Sequence, residues 1–130
     1  MANPKRVGAL LELADEDLGA ARTLLSYSTR TARYHVQQSA EKAVKALIEH
    51  LGLNPGREHR FEFLAEMLPE SDPWRARIHG LDSLSPAATT YRYPTSEGRL
   101  LKPPARELVE REITTVGQLI SDIRAAVGSS

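Results

Sequence analysis

The side chains best suited to chemistry in this 130-residue chain lie between Tyr34 and Glu49. On a helix advancing 100° per residue, Tyr34, His35, Gln38, Glu41, Lys42, Lys45 and Glu49 fall within a sector of about 120°. Lys42 and Lys45 suit phosphate, Gln38 suits the edge of a base or a ribose, and Tyr34 offers a stacking plane with a polar tip. The same face also reads as an ordinary solvated surface, in which Glu41 and Lys45 form an i,i+4 pair contributing about 0.3–0.5 kcal/mol. Residue types alone leave both readings open.

A second group is Tyr91-Arg92-Tyr93-Pro94. Pro94 biases Tyr93 toward extended backbone, which ends a helix and can turn the preceding arginine and tyrosine toward a cleft. Arginine between two tyrosines combines charge-assisted hydrogen bonds with stacking, the chemistry of a phosphate or base site. The alternative is an Arg92 locked to an acid such as Glu41, with the tyrosines filling one end of the fold. His59 is expected to cap or pack, since no second histidine or acidic residue stands beside it at metal spacing. His79 suits a helix C-terminus, and Trp74 suits a core or subunit-interface anchor. No phosphate loop, nucleophile elbow, His-Glu-x-x-His or paired-carboxylate pattern occurs, so neither catalysis, metal nor cofactor has positive support.

The elements that must position these residues are helical. Asn3-Pro4 marks the start of a first helix, about 4–26, with Leu10, Leu13, Ala14, Leu18, Ala21 and Leu25 at helical spacing. A second runs over about 31–51 with an apolar stripe of Val36, Ala40, Ala43, Val44, Leu47 and Leu51, stopped by Gly52. Asn54-Pro55-Gly56 is a turn, and Phe61, Leu64, Ala65 and Leu68 predict a short third helix ending at Pro69. Ser71-Asp72-Pro73 opens another through about Leu84, and Pro86 opens a segment carrying Ala87 to Tyr91. Four prolines and glycines, Pro94, Gly98, Pro103 and Pro104, predict a long exposed loop before a last helix over about 104–127. That helix aligns Leu108, Val109, Val116, Leu119, Ile120, Ile123 and Val127. The expectation is one all-α domain over 1–130, an antiparallel up-and-down bundle of four to five helices.

Composition narrows the function classes. Seventeen Lys and Arg against seventeen Asp and Glu leave no net charge, so no global field draws the chain to DNA or to an anionic membrane. Absence of cysteine removes thiol nucleophiles, Cys-based metal sites and disulfides, and is compatible with a reducing cytoplasm, the setting expected. Ala9 to Leu13 are broken by Glu12 and followed by Asp15, Glu16 and Asp17, so no targeting or spanning segment is expected. Leu10, Leu11, Leu24 and Leu25 exceed one narrow core stripe on the first helix, which predicts a homodimer.

The stretch Tyr34-His35-Val36-Gln37-Gln38-Ser39-Ala40-Glu41-Lys42-Ala43-Val44-Lys45-Ala46-Leu47 resembles the second helix of the HEPN family, the higher eukaryotes and prokaryotes nucleotide-binding domain. Leu13 to Arg22 resembles that family's first helix, His59 with Phe63-Leu64 and Leu68 its third segment, and Arg92-Tyr93-Pro94 its late Arg-Tyr-Pro element. The resemblance implies an up-and-down bundle, often homodimeric, in a non-catalytic nucleotide- or substrate-binding protein acting with a minimal nucleotidyltransferase. A toxin–antitoxin pairing is among the arrangements it leaves open. On this reading Tyr34, Gln38, Lys42, Lys45, Tyr91, Arg92 and Tyr93 are the ligand-binding residues. Some branches are instead ribonuclease toxins with an Arg and a His four to six residues apart near the start of a late helix. Here the last histidine is His79, ahead of every late arginine. Arg30 and His35 satisfy the bare spacing at the start of the second helix, the alternative catalytic pair. With thirteen arginines and four histidines, about one such pair arises by chance.

Overall fold

The computed structural model describes residues 2–84 and 93–128. Five helices occur among them: α1 (Pro4–Leu24), α2 (Thr29–His50), α3 (Phe61–Glu66), α4 (Pro73–His79) and α5 (Arg106–Gly128). Three starts are set by side-chain caps that satisfy otherwise unpaired backbone N–H groups. Asn3 accepts from the Arg6 amide at 3.2 Å, Ser28 from Thr31 at 3.2 Å and Asp72 from Trp74 at 2.9 Å. Because Ser28 is the cap, α2 begins at Thr29, two residues before the sequence expectation. Its end is a Schellman turn: Gly52 has φ +82°, its amide reaches the Glu49 carbonyl, and the Leu53 amide reaches that of Ile48.

Cross-helix contacts give the topology. His35 meets Asp17, Ser39 donates to the Ala14 carbonyl at 2.7 Å, and Arg6 meets Glu49, so α2 runs back along α1. Arg124 pairs with Asp15 while Gly117 lies beside Leu18, so α5 is antiparallel to α1 and parallel to α2. The α1–α2 seam is built from small residues: Ala14, Ala21, Ala32, Ala40 and Ala43 have no solvent exposure. Their short side chains let the two backbones approach closely, and the larger Leu18, Val36, Val44, Leu47 and Ile48 fill the space toward α5. Phe61, Leu64, Leu68 and Ile78 from α3 and α4 close the same core.

Several details differ from the periodicity-based expectation. The buried stripe of α1 is Val7, Leu11, Ala14, Leu18 and Ala21, a heptad-like row that leaves Leu13 exposed. Leu11 is inside the core, and Leu10, Leu24 and Leu25 lie half-buried against it. Leu51 is exposed because it falls at the helix cap, where the chain has already turned away. Leu84 is buried but lies beyond α4, which stops at His79; Gly80 is its cap, and a short turn brings Leu81 and Leu84 inward. The segment opened by Pro86 lies outside the described residues. The loop after Tyr93 is largely exposed as expected, tightened by a turn in which the Thr95 amide meets the Arg99 carbonyl.

An ion pair between α2 and α5 was not foreseen. Arg33 is buried, and its guanidinium grips Glu112 of α5 through two bonds of 2.9 and 2.8 Å while also donating to the Ser83 carbonyl at 3.3 Å. Replacing one member of such a pair leaves a buried charge without its partner. Glu112→Ala is therefore expected to lower unfolding free energy by about 3–5 kcal/mol in urea denaturation. Glu110→Ala, which breaks the exposed pair with Arg106, is expected to cost less than about 1 kcal/mol.

Candidate functional site

The polar face of α2 is partly exposed, and its charged groups are paired. Two carboxylates each hold one lysine and one histidine there, and a third, Glu49, pairs with Arg6 of α1. Asp17, one helix away on α1, accepts from His35 Nδ1 at 2.9 Å and from the Lys42 ammonium. Glu41, on α2 itself, receives Lys45 Nζ at 3.1 Å, His59 Nδ1 at 3.1 Å and Gln37 Nε2 at 3.1 Å. The Glu41 and Lys45 side chains are only 7% and 13% exposed, far from the open i,i+4 pair that sequence allows.

Local folding explains how His59 arrives there. Gly56 adopts φ +57° and its amide donates to Asn54 Oδ1, turning the chain after α2. The Glu58 carboxylate then accepts from the backbone amides of His59 and Arg60 at 3.0 and 3.1 Å and from Arg60 Nε at 3.2 Å. The Arg60 side chain, followed by its amide, holds the Glu58 carboxyl down from 4.5 to about 2. His59 caps no helix: Arg60 is the residue before α3 and makes no side-chain cap.

An ionised carboxylate only accepts, so Nδ1 of each histidine carries the proton in these bonds. Tyr34 packs edge-on to His35, with ring centroids 5.3 Å apart and planes at 75°. Gln38 donates to Gln37 at 2.7 Å, which orders an amide whose carbonyl remains available. Each ammonium has three N–H donors and commits one to its carboxylate, leaving donors for an incoming oxygen. The two carboxylates balance the two lysines, so the face offers directed donors rather than raw positive charge. Among the described residues, no group of three or more His, Asp or Glu side chains stands ready to hold a metal ion.

A model of the HEPN domain matches residues 7–125. The chain belongs to the HEPN domain family. Among solved structures, this HEPN chain is similar to TT1696 from Thermus thermophilus, with a TM-score of 0.75 and 23% identity over 92% of this chain and 97% of that one. It is also similar to ST0689, described as an archaeal HEPN homologue, with a TM-score of 0.64 and 21% identity over 94% and 98% of the two chains. At those identities the likeness concerns the fold. No curated protein matches the chain.

Within this HEPN fold, Tyr34, Gln38, Lys42 and Lys45 share one face as the spacing predicts, with Lys42 and Lys45 held by different carboxylates. Tyr93 is exposed, and Tyr91 and Arg92 lie outside the described residues. Among the described residues Glu41 is occupied by Gln37, Lys45 and His59. Arg30 and His35 are not brought together: five residues apart on one helix, they point about 140° from each other. Arg30 donates to the Leu101 carbonyl at 2.6 Å, and His35 is held by Asp17. Sequence reasoning missed Asp17, whose only signal was an acidic run, Asp15-Glu16-Asp17, on the helix preceding the lysines. Asp17→Asn keeps the shape but removes the charge shared by His35 and Lys42. It is expected to lower stability by about 1–2 kcal/mol in chemical denaturation at neutral pH, discounted for partial exposure.

Proposed function

We propose that this HEPN protein is a non-catalytic nucleotide- or substrate-binding component acting with a minimal nucleotidyltransferase. The observation that carries this reading is the α2 face: Lys42 and Lys45 are fixed by Asp17 and Glu41, with Gln38 beside them and Tyr34 at one end. A fixed ammonium with spare donors binds a phosphate oxygen without first losing side-chain freedom, and the amide and phenol supply the recognition of base or ribose. Tyr91, Arg92 and Tyr93 would complete the site in this reading. The protein acts as a dimer, in the cytoplasm, and a toxin–antitoxin pairing is one setting for such a partner.

Arg30 and His35 give the ribonuclease alternative no support, since general acid–base cleavage needs both groups at one phosphate. Calorimetric titration with nucleoside mono- and triphosphates, with and without the transferase, tests the proposal. Lys45→Ala is expected to weaken binding by about 1.5–3 kcal/mol, the range for hydrogen bonds to charged groups. Gln38→Ala, which breaks no ion pair, is expected to weaken it by about 0.5–1.5 kcal/mol with helicity unchanged. Absence of nucleotide binding in both settings, or cleavage of single-stranded RNA lost in Arg30→Ala and His35→Ala, overturns the proposal.

A further inference from the structure

Arg30, in the first turn of α2, donates to the Leu101 carbonyl at 2.6 Å and brings residues 99–102 of the loop before α5 to the turn between α1 and α2. The two most exposed large apolar side chains among the described residues belong to this end of the bundle: Tyr27, 86% exposed, and Leu100, 71% exposed. Leu101 is exposed as well. The segment reads Arg99-Leu100-Leu101-Lys102, and its two cations are the only charges from Gly98 to Ala105.

Two observations separate this segment from an ordinary surface loop. Among the described residues, neither the Arg99 nor the Lys102 side chain has an ion-pair partner. Beyond the turn that joins Thr95 to Arg99, the amides of Leu100, Leu101 and Lys102 and the carbonyls of Leu100 and Lys102 also have no hydrogen-bond partner there. Pro103 biases Lys102 toward extended backbone, and an extended chain with free amides and carbonyls is a template for a second strand. The Arg30 bond ties that template to α2 before any partner arrives, which lowers the ordering cost of binding.

We propose that residues 99–102 dock an extended, acidic segment of a partner protein by strand addition. Main-chain bonds form with the free amides and carbonyls, aliphatic side chains of the partner cover Leu100 and Leu101, and its carboxylates meet Arg99 and Lys102. Charge decides against a second copy, since a two-fold contact centred on the segment sets Arg99 of one chain beside Lys102 of the other. The free backbone decides against a bilayer, whose interior has no groups to pair it. The segment is apart from Lys42 and Lys45, which are held by Asp17 and Glu41.

An acetylated, amidated peptide Glu-Leu-Glu-Val-Asp-Leu-Glu and its counterpart with lysine at every acidic position, titrated against the full chain with NMR observation of the Leu100, Leu101 and Lys102 amides, test this. The acidic peptide is expected to bind saturably and more weakly at high salt, and the basic one at least about tenfold more weakly than the acidic. Leu100→Ser with Leu101→Ser, and separately Arg99→Glu with Lys102→Glu, are each expected to weaken acidic-peptide binding at least about tenfold. Helicity is expected to be unchanged in both, because these side chains are exposed and the Leu101 carbonyl keeps its bond. No saturable binding, equal binding of the basic peptide, or unaltered binding in either folded variant overturns the proposal. So does a sedimented mass that falls in the Leu100→Ser, Leu101→Ser variant, which assigns the segment to a second copy, or binding to phosphatidylserine vesicles that the same variant loses, which assigns it to a membrane. Nucleotide affinity is expected to be unchanged in both variants, so failure here and failure of the α2 reading are read separately.

Discussion

Close approach of α1 and α2 is the constraint on which the rest depends. Ala14 and Ala21 of α1 and Ala32, Ala40 and Ala43 of α2 are all without solvent exposure, and Ser39 places its hydroxyl on the Ala14 carbonyl. Across this interface Asp17 comes within hydrogen-bonding distance of His35 and Lys42. A larger residue in the seam would separate the backbones, because a close-packed interior accommodates extra methylenes only by strain or displacement. The helices thus owe their site to residues that do no chemistry themselves.

From that seam the polar face acquires its character. A surface lysine is ordinarily a mobile charge whose pairing contributes little. Lys45 is instead nearly enclosed, held by a buried Glu41 whose other bonds go to Gln37 and His59. The entropy cost of ordering these side chains is met in folding, so a ligand arriving at the face finds its donors already directed. The Glu58 turn has a similar part, since its bonds to His59 and Arg60 carry the His59 ring to Glu41 across the loop after α2.

The helices were legible because capping and periodicity are local. Asn3, Ser28 or its neighbours, Gly52 and Asp72-Pro73 announce themselves within a few residues, and the apolar rows of α2 and α5 match the buried ones closely. Errors gathered where local pattern underdetermines packing: Leu13 and Leu11 both fit helical spacing, and only the neighbouring helix decides which turns inward. The shared face of Tyr34, Gln38, Lys42 and Lys45 was also legible, being a property of one helix. Its partners were not, because Asp17, His59 and the Arg33–Glu112 pair join residues 18 to 79 positions apart. The HEPN resemblance, carried by the α2 stretch and three flanking segments, supplied the family before any contact was known, and the match over residues 7–125 agrees with it.

The central proposal is that carboxylate-fixed lysines on α2 form a preorganised site for a phosphorylated ligand. Nitrogen-detected NMR of the lysine ammonium and histidine ring groups during addition of a nucleoside triphosphate measures this directly. The account predicts saturable shifts at Lys42 and Lys45 Nζ and at His35 Nε2, while the His35 Nδ1 proton remains bonded to Asp17. Shifts confined to other lysines and histidines, with the α2 resonances unmoved at saturation, would contradict it.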